Sequence, residues 1–399
     1  MTGTIRCERH LLPLPAEHSE APQASYPREK PGCRRQRAGR KAWAALAWGI
    51  GLFLLFQVGL AFAIEHIFPE IGNPAFAVKV ARLRRLFQGT PAPELLPEKP
   101  ALILMLGSSR TAYGLNAAHL EQELTGELRQ PLRVFNFGTL GAGPITELLW
   151  LHQLLHQGIT PDLLLVEVLP PFLAGQLSDP AEARYLSVEN RLGESELRLL
   201  ERYHFSTEQR RQAQRLSWLV PGYAHRAALL GRLVPSWLPY HGRQDWAWSG
   251  DAHGWNRQDA PLPPDCYTDT VRSDRAHYTA AFTGFRADGG PTAALRELLA
   301  LCHTRRIPVA LVLMPEGSEF RRWYPPTAQR EITELLTNLT REYRAPLIDA
   351  REWVADDHFF DAHHLRTPGA TRFSARLKEE ILSRQLPPCR AQENGPAHR

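Results

Sequence analysis

The sequence predicts an α/β domain on a doubly wound parallel sheet, set behind one N-terminal transmembrane helix. Three observations predict it. Short, continuously apolar runs alternate with helical segments, Gly/Ser clusters follow those runs, and one long apolar stretch near the N-terminus carries no charge.

Ala42 to Ile64 (AWAALAWGIGLFLLFQVGLAFAI) contains one polar side chain, Gln57. As a helix it spans roughly 34 Å at about 1.5 Å per residue, enough for a hydrocarbon core of about 30 Å. Trp43 and Trp48 stand near its start, where indoles favour the interface. Seven Lys/Arg lie between Arg28 and Lys41, against Lys79, Arg82, Arg84 and Arg85 on the far side. The positive-inside bias puts residues 1–41 in the cytoplasm and the bulk of the chain in the periplasm or outside. Ala61-Phe62-Ala63 has the small-x-small form of a signal-peptidase site, but the run exceeds the h-region of a signal peptide. An uncleaved anchor is the better reading, and either one exports the domain.

From Gly89 to Pro100 four prolines fall in twelve residues, so residues 65–100 read as a linker. Alternation then begins. Ala101–Leu106 is a buried-type strand and Asn116–Leu124 a helix with an asparagine cap. Leu132–Phe137 is a strand, Pro144–His156 a helix opened by proline, and Leu163–Val168 a third strand. After residue 290 come a helix (Thr292–Thr304), a strand (Val309–Met314), a helix (Thr327–Tyr343), a short strand (Pro346–Ile348) and a closing helix (Gly369–Ser383). The interval 172–290 breaks this rhythm as a helical, then loop-like insertion. It holds five of the ten tryptophans between Trp218 and Trp255, as core packing or as a surface for sugar rings. Residues 386–399 form a tail.

With 43% hydrophobic and 22% charged residues in 399, a sizeable core is available and wholesale disorder is excluded. The first 41 residues hold nine Lys/Arg and four Asp/Glu, equal to the whole-chain excess of +5, and the remainder balances at 38 of each sign. Basicity confined to one tail argues against a nucleic-acid partner. Five cysteines show no C-x-x-C spacing, so no zinc ribbon or thioredoxin site is on offer. Cys302 reads as core, and spacing alone does not decide a Cys266–Cys389 bridge.

Three clusters could carry chemistry. Gly107-Ser108-Ser109-Arg110 follows the first strand, where the carboxyl ends of parallel strands assemble sites. A serine there can present its hydroxyl outward, although Gly and Ser also serve turns with no further role. Asn136-Phe137-Gly138-Thr139-Leu140-Gly141-Ala142-Gly143 follows the second strand. Its glycines run G-x-x-G-x-G, the wrong order for a dinucleotide fingerprint, but glycine there lets an N–H approach a reacting centre. Asp361-Ala362-His363-His364 precedes the last helix. Asp and His three apart can set one imidazole tautomer and leave the other nitrogen as a base. A capping aspartate in a polar loop is the plainer alternative, and His358, Asp361, His363 and His364 also have metal-ligand chemistry.

Together these clusters resemble the blocks of the SGNH (GDSL-like) hydrolase superfamily, in the same order and places. The resemblance covers about residues 101–175 and 290–385, with 172–290 as an insertion. It implies a flavodoxin-like three-layer fold, Ser109 as nucleophile, Asp361 and His364 as its partners, and the Gly141 N–H in the oxyanion hole. No cofactor is implied. One departure stands out: the third block normally offers an asparagine, whereas Val166-Glu167-Val168-Leu169-Pro170-Pro171 has none. The chain is similar in this to anchored envelope members linked to glycan O-acetylation and D-alanyl transfer. That implies an esterase or O-acyltransferase with an acylated glycan or envelope polymer as partner, and a membrane protein handing over the acyl group. The other class is a non-catalytic glycan-binding scaffold on the same fold.

The charge asymmetry sets an expected topology: alkaline phosphatase fused after Arg384 should be active in the periplasm. Activity only of a cytoplasmic reporter at that junction would reverse the orientation.

Overall fold

Five parallel strands in the order β2–β1–β3–β4–β5 form the sheet: β1 Ala101–Gly107, β2 Leu132–Gly138, β3 Leu163–Glu167, β4 Val309–Leu313 and β5 Leu347–Asp349. The structure is a computed structural model describing residues 34–88, 100–128, 130–186, 192–238, 249–384 and 386–387. By its contacts the chain divides into Met1–Leu55 and Phe56–Arg399. Within the first unit the described residues are helical, part of α1 (Arg34–His66). Its stretch Arg40–His66, of mean hydropathy 2.0, is long and apolar enough to cross a membrane.

The strands are mostly apolar because both faces are covered, the exceptions being Arg133 and Asn136 in β2 and the terminal Glu167 and Asp349 of β3 and β5. In β1, Leu102, Leu104 and Leu106 enter one core and Ile103 and Met105 the other. The first core holds α3 (Pro74–Gln88), α6 (Pro144–His156), α12 (Gly289–Arg305) and α14 (Pro326–Tyr343). The second holds α5 (Ala117–Leu128) and α15 (Thr367–Ser383). This is the three-layer α/β architecture expected. The remaining helices are α2 (Pro69–Gly72), α4 (Ser109–Gly114), α7 (Glu194–Arg202), α8 (Glu208–Leu219), α9 (Pro221–Ala224), α10 (Arg226–Leu233), α11 (Pro264–Ala281) and α13 (Ser318–Arg321).

Two expectations need correction. Residues 65–100 are not all linker, because α2 and α3 lie within them and Phe76, Val80 and Leu83 reach the core. Those three recur at helical spacing after a proline start, a pattern hidden by the basic residues between them. Lys79, read as a membrane-flanking charge, is instead buried, and its Nζ donates to the Asn136 and Gly254 carbonyls at 3.0 and 2.9 Å. Burial, with Arg82 nearby, pulls its pKa down to about 7. The insertion is irregular over 250–263, as expected, but it then returns to helix: α11 is an 18-residue helix with few buried positions and so little apolar periodicity. Of the tryptophans there, Trp255 is core, its Nε1 donating to the Tyr113 carbonyl at 2.7 Å, while Trp246 and Trp248 lie outside the described residues. Cys302 is buried as expected. Among the described residues Cys266 has no disulfide partner, and Cys389 falls outside them.

Where β2 ends, α4 comes against it. A Cβ on Gly138 would lie 2.3 Å from the Ala112 backbone nitrogen. Gly138→Ala should therefore cost about 1–3 kcal/mol through forced backbone movement, read as a lower melting temperature of the full chain in detergent. An unchanged melt would show that α4 is free to shift.

Candidate active site

β2 and β3 flank β1 on opposite sides, so the chain reverses its winding at the carboxyl end of β1, the place where parallel sheets open a crevice. The turn into α4 lies there. Ser108 caps that helix, its Oγ accepting from the Arg110 N–H at 3.1 Å. The Ser108 hydroxyl is also spent on Glu167 Oε1 at 2.9 Å, and Ser108 is buried. Ser109 is half-buried, and its Oγ meets His364 Nε2 at 2.7 Å. His364 Nδ1 meets Asp361 Oδ2 at 2.6 Å. Asp361 Oδ1 accepts from the backbone N–H groups of His363 and His364, at 2.8 and 2.7 Å. Burial favours a protonated Asp361, but His364 and His363 outweigh it and hold the carboxyl well below the usual range. The imidazole of His364 stacks on Phe360 (5.3 Å between centroids) and meets Tyr113 edge-on at 5.5 Å.

Three of the four residues named from sequence thus form one continuous chain of hydrogen bonds. The fourth, Gly141, stands on the neighbouring loop after β2, which is tied to β1 by Thr139 N–H donating to the Gly107 carbonyl at 2.7 Å. No hydrogen bond joins Gly141 to the other three among the described residues. Its φ of +68° suits glycine, and a Cβ would collide with the Tyr185 ring at 2.0 Å. Among the described residues, neither the Ser109 nor the Gly141 N–H has an acceptor. Asn136 is buried and clamps α4: its Nδ2 donates to the carbonyls of Thr111 and Leu115, at 2.7 and 2.9 Å, and its Oδ1 accepts from the Gly138 N–H at 2.9 Å.

The dinucleotide alternative is blocked inside the chain. At the amino end of α6, where a phosphate would bind, the carboxylate of Glu182 accepts from the N–H groups of Gly143, Ile145 and Thr146 at 2.8–3.0 Å. Asp361, His363 and His364 lie close enough to share an ion by donor type, and His358 does not join them. Both nitrogens of His364, however, are committed to Ser109 and Asp361.

Sequence reasoning missed several residues. Glu167, read only as a missing asparagine, accepts at Oε2 from the Ser108 N–H (2.8 Å), the Thr111 N–H (3.2 Å) and the Thr111 hydroxyl (2.6 Å). Arg110, fully buried, donates to the Met314 carbonyl at 2.8 Å and to Glu316 Oε1 at 3.3 Å. Burial works against its charge, but Glu316 and Glu167 outweigh that and raise its pKa. On α11, Asp274 Oδ2 lies 3.7 Å from the Nδ1 of His363, and the Tyr278 hydroxyl 3.4 Å from its Nε2. Burial, and after it His364, pulls the His363 imidazole well below its ordinary range. An isolated Asp or Glu in a helix or at a strand end carries no local pattern, so only the contacts reveal these partners.

No protein-family model matches the chain, and no curated protein matches it significantly. Among solved structures, it is similar to the lipase/acylhydrolase from Enterococcus faecalis, at 13% identity and a TM-score of 0.34, over 73% of this chain and 100% of that one. It is also similar to AlinE4, described as an SGNH-hydrolase family esterase, at 17% identity and a TM-score of 0.28, over 63% of this chain and 76% of that one. Likenesses this weak add nothing to what the site's own geometry says.

Burial, then the charge of Asp361, pushes the Asp274 carboxyl up to about 6 from 3.8. A raised carboxyl binds its proton more tightly in the folded state, so its contribution to stability falls as pH rises from 3.8 to about 6 and stays lower above. At about 1.4 kcal/mol per pKa unit the ceiling is about 3 kcal/mol, less for a side chain still partly exposed. Asp274→Asn should therefore gain on the wild type as pH is raised, the difference in melting temperature being larger at pH 7.5 than at pH 4.5. A difference independent of pH would place Asp274 in solvent.

Proposed function

We propose that this chain is a membrane-anchored serine esterase or O-acyltransferase of the SGNH type, with its sheet domain outside the cytoplasm. The observation that carries it is the unbroken Ser109–His364–Asp361 chain of short hydrogen bonds at the switch point of the sheet. In this reading Ser109 Oγ attacks an ester carbonyl, passing its proton to His364 Nε2. Asp361 fixes the tautomer and supports the imidazolium. The tetrahedral oxyanion is met by the Ser109 and Gly141 N–H groups. His364 then gives the proton to the leaving alkoxide, and water or a sugar hydroxyl takes the acyl group from Ser109. The chemistry requires no cofactor.

The anchor and the charge asymmetry support a cell-envelope polymer carrying acyl esters as the substrate, and a membrane protein as acyl donor where the reaction is transfer. Glu167 at the β3 end favours the second reading, a glycan-binding scaffold on the same fold, because the resemblance calls for an oxyanion donor there and a carboxylate is not one.

A serine-reactive fluorophosphonate separates the two. The wild type should label, and Ser109→Ala should neither label nor turn over a small acetyl ester. Ser108→Ala should label at a reduced rate, since its hydroxyl only braces the turn. His364→Ala should match Ser109→Ala, with losses on the order of 10⁴-fold, because members of such a relay act as a unit. Asp361→Asn should keep a residual rate and His363→Ala a larger one. A wild type that neither labels nor turns over esters would establish the scaffold reading.

A further inference from the structure

An amide in hydrocarbon without a partner is costly, and Gln57 is the one polar side chain in the apolar run. Gln57 is buried, and its Oε1 accepts from the Gly222 N–H, the opening turn of α9, at 3.3 Å. The same turn sits on Leu60, whose Cδ2 lies 3.4 Å from the place of a Gly222 Cβ. Gln57 precedes Ile64 by seven residues, about 10 Å along a helix. A turn touching Gln57 therefore sits at the depth of the leaflet, not above it. Helix α10 follows directly and packs on α2, the first turn after the run.

The surface of this segment matches that depth. Among the described residues after His66, nine large hydrophobic side chains are exposed, and seven are Ile67 and Phe68, next to the run, or Leu216, Leu219, Tyr223, Leu233 and Trp237. Leu219, Leu233 and Trp237 are each at least 70% exposed, and exposed apolar side chains gathered in one segment, unlike ones scattered singly, mark an interaction surface. Residues 208–238 also hold five arginines against one acidic residue, Glu208. Arg210 is buried on the Leu186 carbonyl and Arg211 pairs with Glu194 and Glu201, so Arg215, Arg226 and Arg232 carry the basic character of this surface. Arg226 lies over the Tyr223 ring at 4.1 Å. Apolar and aromatic side chains mixed with arginine are the composition of helices that lie in a bilayer interface with anionic headgroups.

We propose that α8–α10 and the turn to Trp237 form a membrane-dipping element, occupied by the acyl chains and anionic headgroups of the leaflet next to the sheet domain. The inference rests on α1 spanning the membrane, and the test separates the two. The full chain, with Cys7, Cys33, Cys266 and Cys389 replaced by serine, is placed in phosphatidylcholine–phosphatidylglycerol vesicles. Cys302 stays, because burial pushes its thiol up to about 12. An environment-sensitive fluorophore is attached singly at Leu233→Cys, Trp237→Cys, Leu54→Cys within the run, or Arg330→Cys on exposed α14. The Leu233 and Trp237 probes should shift to the blue and lose most of their emission to doxyl-labelled lipid, as the Leu54 probe does, while the Arg330 probe responds only to aqueous iodide. If the Leu54 probe is quenched by lipid and the other two by iodide, the dipping element falls and the anchor stands. Probes at 233 and 237 shielded from both quenchers would mean a protein covers this face, which also overturns the proposal. If lipid does not quench the Leu54 probe either, anchor and element fall together.

Discussion

One carboxylate holds the reacting turn in place. The sheet register sets Leu106 opposite Val166, so Glu167 falls beside the turn that follows β1. There it gathers the N–H and hydroxyl of Ser108 and of Thr111. With both neighbours bound inward, Ser109 between them is left with its hydroxyl toward His364. A buried carboxylate is expensive in a low-dielectric interior and is tolerated only with a full set of donors. Arg110 supplies compensating charge, its Nε 3.9 Å from Glu167 and its guanidinium bridging to Glu316 beyond β4. The ends of β1, β3 and β4 are thereby tied through one ionic cluster, and the placing of Ser109 is set by groups outside the Ser109–His364–Asp361 relay.

What could be read from sequence follows from how far each signal reaches. Strands covered on both faces are apolar along nearly their whole length, so Ala101–Gly107 and the Leu163–Val166 stretch of β3 announce themselves within a few residues. Proline at the first turn marks α6 and glycine marks the loop after β2, both local effects. The pairing of Asp361 with His364 spans three residues and is legible for the same reason. Glu167 reaches Ser108 across 59 residues, and Glu182 reaches the amino end of α6 across 36 to 39. Neither acid has a local pattern, and each becomes meaningful only once the strands are aligned. The α3 helix was hidden differently, because Lys79 and the arginines between its apolar positions suggested a flank for the membrane run.

Glu182 also explains why a glycine-rich loop before a helix need not bind a phosphate. The helix amino end is an anion site by its free N–H groups and its dipole. Here the chain fills that site from its own insertion, and Thr146 adds its hydroxyl to the same Glu182 oxygen at 2.5 Å. Glu147, buried in the same helix turn, is pushed far above the carboxylate range by burial and then by Glu167 and Glu182. Among the described residues the Gly141 N–H of the glycine-rich loop has no acceptor, which leaves it available for the oxyanion role proposed for it.

The insertion's position is dictated by the sheet. In a parallel sheet a connection leaves each strand at its carboxyl end, the edge where the site lies. Any long excursion between β3 and β4 must therefore start beside Ser109 before α12 carries the chain back. This excursion has two limbs with different chemistry. Its later limb, α11, lays Asp274 and Tyr278 against His363, inside the polar surroundings of the relay. Its earlier limb, α8–α10, carries exposed apolar side chains and supplies the Gly222 N–H that Gln57 accepts. A single crossover thus packs at one limb against the polar surroundings of the Ser109–His364–Asp361 relay and at the other against the apolar run at Gln57. The two limbs differ in composition because one meets buried titratable groups and the other an apolar helix.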